Sequence, residues 1–268
     1  LHTNSEDIIK NIESLIDESV KSQLISDVPV GAFLSGGNDS ALVVANMQKY
    51  QKTDTFTIGF DEKEYDESIN AKQISKILNT NHNELICNKK DAQNLIPKIQ
   101  AAFSEPFADS SQIPTMLVSK LASNKVKVAL SGDGGDEVFG GYNRYIIASK
   151  YWNLINIYSL INNKYLTNII DLIPNYFFKF LLKKNLSNYS MNSSDSQINS
   201  IKKKLKEIKD EESFYESMIS QYPTNHKIFN NLIKYQKNKY LKFSNDFVNN
   251  LMISDFKSYL PDDILCKV

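Results

Sequence analysis

Two stretches of this chain are built alike. Val30–Leu34 is a short apolar run that hands over to Ser35, Gly36, Gly37, Asn38, Asp39 and Ser40, after which a helix-forming run begins. "KVKVALSGDGGDE" repeats the arrangement, with Ser131, Gly132, Asp133, Gly134, Gly135, Asp136 and Glu137 following an apolar run that ends at Leu130. A glycine-rich turn between a strand and a helix presents the unpaired N–H groups of the helix start. Those groups and the helix dipole together favour anions.

The rest of the first half agrees with this pattern. Ile8, Ile9, Ile12, Leu15, Ile16, Val20 and Leu24 recur with a helical period, and Pro29 closes that run. Further spacing predicts helices over Ser40–Tyr50, Asp66–Leu78, Asp91–Phe103 and Thr115–Asn124. Strands are predicted over Val30–Leu34, Thr53–Phe60, His82–Cys87 and the run before Ser131. Such alternation implies an α/β fold, a mostly parallel sheet with helices on both faces. Ligands of these sheets bind beyond the carboxyl ends of the strands, where both glycine-rich turns fall.

After about Tyr145 the strand signals fade, which divides the chain into a core over 1–150 and a helical part over 151–268. "IIDLIPNYFFKFLL" reads as two amphipathic helices meeting at a proline, because its acid, proline and lysine bar a membrane span. Lys183–Lys209 is rich in Asn, Ser and Lys and includes the low-complexity "NLSNYSMNSSDSQINS". "INSIKKKLKEIKDEESFYESMI" reads as a solvated helix, with Lys202–Lys204 on its wet face because acids follow at once.

Charge and cysteine usage narrow the function classes. Lys+Arg and Asp+Glu balance at 31 each, which argues against a nucleic-acid binder driven by net charge. Cys87 and Cys266 form no C-x-x-C pair and no metal-ligand spacing. The expectation is a reduced, cytoplasmic protein with no membrane span and no signal peptide. A first residue of Leu1 rather than Met suggests a segment of a longer chain.

The turns themselves suggest chemistry. Gly36 and Gly37 remove side chains where phosphate oxygens approach a backbone, and Ser35 and Ser40 add hydroxyls. Asp39 repels phosphate unless a divalent cation lies between them, and Mg²⁺ is commonly held by one or two carboxylates plus phosphates. Asp136 in the second turn supplies a carboxylate opposite Asp39. The lysine of G-x-x-x-x-G-K-[ST] and the G-x-G-x-x-G spacing are both absent. The spacing of a calcium loop is absent too. Taken alone, "SGGNDS" reads equally well as an ordinary turn before a helix cap.

Several blocks together carry a family resemblance. "LSGGNDS" resembles the pyrophosphate loop of the N-type ATP pyrophosphatases. "FTIGFDEKEYDESINAKQISKIL", "EPFADSSQIPT", "LSGDGGDEVFGGYNRY" and "SYLPDDILCKV" resemble, in order, blocks of the synthetase domain of glutamine-dependent asparagine synthetases. Asn38 departs from that pattern, where an apolar residue is usual. The resemblance implies a Rossmann-like fold of the adenine nucleotide alpha hydrolase type. It also implies ATP and Mg²⁺ as partners in making an acyl-adenylate that ammonia converts to an amide.

By the same resemblance, Ser35, Gly36, Gly37 and Ser40 hold the pyrophosphate part of ATP. Asp39 and Asp136 ligate the metal. The backbone around Leu34, Ile58, Ser131 and Gly132 borders the adenosine, and Asp133 serves the activated intermediate and the entry of ammonia. "ADSSQ" (108–112) offers a role in the carboxylate pocket or a helix cap by Asp109 or Ser110, and packing or a surface ion pair is expected of Arg144 and Tyr145.

The family draws ammonia from a preceding glutaminase domain with an N-terminal cysteine, a role for which neither Cys87 nor Cys266 is placed. Its catalytic lysine lies beyond "DDILCKV", and Lys267 is not at that position. The expectations are that this segment binds nucleotide with impaired turnover, that its acceptor is a small carboxylate (aspartate by default), and that it forms a homodimer. Competing readings are an amidotransferase acting on a sugar acid, another ATP pyrophosphatase of the tRNA-modifying or NAD-forming kind, and a non-catalytic nucleotide-binding module.

Overall fold

The computed structural model describes residues 4–61, 66–105, 109–160, 173–177, 179, 195–219 and 240–267. The chain forms two compact units, one of Leu1–Asp136 with Leu260–Val268 and one of Glu137–Tyr259.

The first unit is built on four parallel strands: β1 (Val30–Phe33), β2 (Asp54–Phe60), β3 (Asn81–Cys87) and β4 (Val128–Leu130). Their order is β3-β2-β1-β4. Around them lie α1 (Ser5–Gln23), α2 (Asn38–Met47), α3 (Ser68–Ile77), α4 (Lys89–Ala102) and α5 (Gln112–Ser123). This is the α/β, Rossmann-like architecture that the alternation of strand and helix signals predicts.

Side-chain alternation along the strands separates the two faces. Val30, Ala32 and Leu34 pack with Val20 of α1, Val44 and Met47 of α2, and Ala71 of α3. On the other face Phe33 and Phe56 pack against Val118, Leu121 and Ala122 of α5 and against Val126. Ile58, Phe60 and Cys87 pack there with Leu95 of α4 and Leu117 of α5. The chain steps outward from β1 through β2 to β3, then crosses back to place β4 on the other side of β1. The strand order therefore reverses between β1 and β4. In open α/β sheets that switch point is where a crevice opens at the carboxyl edge.

The second unit is helical among the described residues. It holds α7 (Asn143–Leu160), α8 (Asp195–Glu207), α9 (Glu211–Ile219) and α10 (Phe247–Lys257), while α6 (Gly135–Phe139) leads into it from the turn after β4. Its core joins Tyr145 and Ala148 of α7, Phe214 and Tyr215 of α9, and Phe247 and Leu251 of α10. Trp152 lies 4.2 Å from Phe247 and 5.8 Å from Phe214, centroid to centroid.

The solvated helix expected over "INSIKKKLKEIKDEESFYESMI" is corrected here. It is two helices, α8 and α9, with Ile198, Ile208, Phe214 and Tyr215 buried. The break has a local cause: Asp210 Oδ1 accepts from the Ser213 amide at 2.8 Å, and Ser213 Oγ accepts from the Asp210 amide at 2.9 Å. This reciprocal cap starts α9 afresh. Lys202 is also buried rather than wet, and its ammonium donates to Asn175 Oδ1 at 2.9 Å and to the Ile173 carbonyl. Most of "NLSNYSMNSSDSQINS" and, within "IIDLIPNYFFKFLL", residues 169–172, 178 and 180–182 lie outside the described residues, so the pair of helices expected to meet at Pro174 falls largely outside them. Among the described residues no helix is long and apolar enough to cross a membrane.

Tyr145 packs in the core as expected, while the ion pair of Arg144 is buried rather than on the surface. Arg144 Nε donates to Asp255 Oδ2 at 2.7 Å, and Tyr145 OH donates to the same oxygen at 2.5 Å. Asp255 is fully buried. Burial opposes the Arg144 charge, but Asp255 outweighs it and holds the guanidinium above its ordinary value. Burial, with the bond to Asp255, raises the Tyr145 hydroxyl far above its ordinary range, so it stays a donor. Removing one member leaves the other charge buried alone. Asp255→Ala is expected to cost about 3–5 kcal/mol. Trp152, the single tryptophan, reports on this unit in urea unfolding followed by fluorescence, and a loss below about 1 kcal/mol contradicts the assignment.

Candidate functional site

The site is built where the loops after β1 and β4 meet. Past β1, the Leu34 amide donates to the Phe56 carbonyl at 3.0 Å, and the Thr57 hydroxyl donates to the Leu34 carbonyl. Leu34 is thus fixed in the core, and the chain turns at Ser35. Ile58 lies two residues beyond Phe56, the partner of the last residue of β1, and pairs with Leu85 on the β3 side. Its main chain therefore runs past the Ser35 turn.

The first loop is tied to itself through two hydroxyls. Ser40 Oγ accepts from the Ser35 amide at 3.2 Å, lies 3.0 Å from Ser35 Oγ and donates to the Gly37 carbonyl at 3.2 Å. Ser35 Oγ accepts from the Gly37 amide at 3.3 Å. Ser40 is buried and Ser35 is exposed. Gly37 caps α2 without a side-chain hydrogen bond. The amides of Asn38, Asp39 and Ser40, in the first turn of α2, have no intrahelical acceptor.

The two glycines of this loop do different things. Gly36 has φ +85°, and a Cβ there would lie 2.9 Å from Asn70 Cβ and 3.0 Å from the Glu67 carbonyl oxygen. Its missing side chain lets the loop sit against the start of α3. Gly37 faces open space, since a Cβ there would meet only Ser35 Oγ, at 3.4 Å. The Asn38 side chain is exposed on the first turn of α2.

The second loop lies directly on that first turn. A Cβ at Gly132 would come 2.7 Å from the Ser40 amide nitrogen and 3.0 Å from Asp39 Cβ. A Cβ at Gly135 would come 2.7 Å from Asp39 Cγ and 2.9 Å from Asp39 Oδ2. The Asp39 carboxylate therefore rests on the backbone of Gly135, the residue before Asp136. The Gly135 amide donates to the Gly132 carbonyl at 3.2 Å, and Ser131 Oγ accepts from the Asp133 amide at 3.5 Å. Asp133 is exposed, and Asp136 is half-buried in the first turn of α6.

This arrangement brings together Leu34, Ser35, Gly36, Gly37, Asp39 and Ser40 with Ser131, Gly132, Asp133 and Asp136 along one edge, and Ile58 borders it. Among the described residues no group of three or more His, Cys, Asp or Glu side chains is placed to hold a metal ion. Two carboxylates, Asp39 and Asp136, fit a hard cation that brings further oxygens with its ligand.

Two acidic residues at the same edge accept from nearby backbone amides, and one of them also pairs with a distant cation. Asp66 accepts from the amides of Ser68 at 3.0 Å and Phe60 at 3.4 Å. Bonds from the Ser68 hydroxyl and amide hold its carboxyl below the ordinary value. Asp109 accepts from the Ser111 amide at 2.8 Å and pairs with Lys267. The D-x-S spacing in "DES" and "DSS" is a signal for the first kind of bond. No local signal marks the second.

The architecture and its two acid-bearing glycine loops at the switch point define a Rossmann-like α/β protein. The family model described as Asparagine synthase matches residues 11–267. The Methanocaldococcus jannaschii protein named "Putative asparagine synthetase (glutamine-hydrolyzing) 2" is 46% identical over 138 residues, covering 50% of this chain and 27% of that protein. Asparagine synthetase (glutamine-hydrolyzing) 1 of Bacillus subtilis is 38% identical over 146 residues, covering 54% of this chain and 23% of that protein. The matched part of the chain spans about a quarter of the length of these relatives. The chain belongs to the asparagine synthase family.

The loop contacts make a stability prediction that does not depend on ligand. Gly132→Ala and Gly135→Ala each force the backbone of α2 or Asp39 to move and should each cost about 1–3 kcal/mol. Gly37→Ala, with φ −83° and open space, should cost under about 1 kcal/mol. Urea unfolding followed by far-ultraviolet circular dichroism ranks the three, and equal costs would contradict the close approach of the loops.

Proposed function

We propose that this chain carries the synthetase site of an ATP-dependent carbon–nitrogen ligase. A small acceptor carboxylate, aspartate by default, attacks the α-phosphorus of ATP. The bond from that phosphorus to the bridging oxygen breaks, pyrophosphate leaves, and an acyl-adenylate forms. Ammonia, drawn from glutamine by a glutaminase domain of the whole protein, then attacks the acyl carbon. AMP departs with the bonding pair, and the nitrogen loses a proton as the amide forms. The observation that carries this reading is the Asp39 carboxylate resting on Gly135, one residue before Asp136, in a chain of the asparagine synthase family.

In this reading the pyrophosphate part of ATP lies at the open side of Gly37, against the free amides of the first turn of α2. Ser35, Gly36 and Ser40 hold the loop in shape through the bonds already described. The backbone at Leu34, Ile58, Ser131 and Gly132 borders the adenosine. Asp39 and Asp136 hold Mg²⁺. When bound, that ion neutralises the charge that grows on pyrophosphate as it leaves. Asp133, exposed beside Gly132, receives the proton released when nitrogen adds to the acyl carbon. We take the sheet unit, Leu1–Asp136 with Leu260–Val268, as the nucleotide core and Glu137–Tyr259 as the helical part of the same synthetase domain, in place of the 1–150 and 151–268 division expected from the sequence.

ATP–pyrophosphate exchange tests the reading. Exchange by the whole protein is expected with Mg²⁺ and a carboxylate, and Asp136→Asn should lower it by about 100-fold. Exchange with aspartate fixes the default acceptor, while exchange with a uronic acid keeps the chemistry and changes the acceptor. ATP binding without exchange for any carboxylate would overturn the ligase reading in favour of a nucleotide-binding module.

A further inference from the structure

The segment after α10 returns to the sheet unit and is pinned there at two points. Leu260 opens a five-residue π-helix, Leu260–Ile264, and its Cδ2 lies 3.8 Å from where a Cβ at Gly134 would be. Seven residues on, the Lys267 ammonium pairs with Asp109 Oδ2. The Lys267 side chain is only 8% exposed and that of Asp109 19%. Single π-helical turns occur often at functional sites.

Both pins lie at the carboxyl edge of the sheet. Gly134 belongs to the loop after β4. Asp109 stands just before α5, and α5 ends at Ser123, shortly before β4 begins at Val128. The helix therefore runs against the strand direction, and its start lies at the carboxyl edge. Its packing agrees: Ile113, Met116 and Leu117 meet Ile58, Phe60 and Cys87 at the strand ends. Asp109 also sets how α5 begins, because its Oδ1 accepts from the Ser111 amide at 2.8 Å.

We infer that Leu260–Lys267 is a strap across the carboxyl edge, latched by the Lys267–Asp109 pair, and that Lys267 is a positioning residue acting through Asp109. With the latch closed, the turn at Asp109–Ser111 is held in one conformation. With it open, Asp109 loses its cation and Ser111 loses a fixed acceptor. The strap then keeps its contact at Leu260 beside Gly134. The consequence for an acceptor rests on the ligase reading; the ordering of the turn does not.

Hydrogen exchange of the full chain tests the latch directly. Lys267→Met should speed amide exchange by at least 10-fold at residues 109–113 and 262–266 and leave β1 and α2 unchanged. Lys267→Arg should restore most of the protection. Asp109→Asn should give the same pattern, and Lys267→Met with Asp109→Asn together should be no worse than either alone. If Lys267→Met does not fold, Asp109→Asn against the unchanged chain carries the test. Unchanged protection at 109–113, or single effects that simply add in the double variant, would overturn the latch. In pyrophosphate exchange, Lys267→Met should raise the acceptor KM about 10-fold and leave the ATP Kd unaltered. Equal KM values with lost protection would remove the positioning role. Absence of exchange for every carboxylate in the unchanged whole protein would instead defeat the ligase reading, with the protection result still deciding the latch.

Discussion

The close approach of Gly132 and Gly135 to the first turn of α2 is the contact on which the site depends. A side chain at either position would have to occupy space already held by the Ser40 amide nitrogen or the Asp39 carboxylate. Backbone-to-backbone contact at this distance is possible only for glycine. It draws the loop after β4 onto the loop after β1, the two loops that flank the point where strand order reverses. Without that contact the two acids would belong to separate turns. With it, the Asp39 carboxylate rests on the backbone of Gly135, the residue before Asp136.

The helical unit solves a different problem. It places a fully buried carboxylate, Asp255, where an arginine and a tyrosine can both reach one oxygen. Arg144 lies between aromatic rings, 3.9 Å from the centroid of Tyr142 and 4.8 Å from that of Tyr259. A planar guanidinium suits such stacking while it donates in its own plane. Tyr142 in turn donates to the buried Glu137 at 2.7 Å. Among the described residues the two buried acids of this unit, Glu137 and Asp255, thus each accept from a named donor, as buried charges require.

Much of the fold was legible because it follows from local rules. Short apolar runs before Ser35 and Ser131, helical periods between them, and the breaker Pro29 mark the parallel sheet and both loops. What was not legible depends on distant residues or on space. Arg144 and Asp255 are 111 positions apart, and Lys267 and Asp109 are 158 apart. No spacing rule connects them. Lys202 sits in a basic run that reads as solvated, yet a carbonyl and an amide side chain near Pro174 receive its ammonium. Gly36 and Gly37 look equivalent in sequence, but only the geometry shows that Gly36 answers to α3 and Gly37 to open space.

In the proposed reading the two loops act as one site through Asp39 and Asp136. Calorimetric titration of ATP with and without Mg²⁺ tests it most directly, on the unchanged chain, Asp39→Asn, Asp136→Asn and the double variant. Mg²⁺ is expected to tighten ATP binding in the unchanged chain, each single variant to lose most of this gain, and the double variant to lose little more. Full Mg²⁺ dependence in either single variant, or losses that add independently in the double, would contradict it.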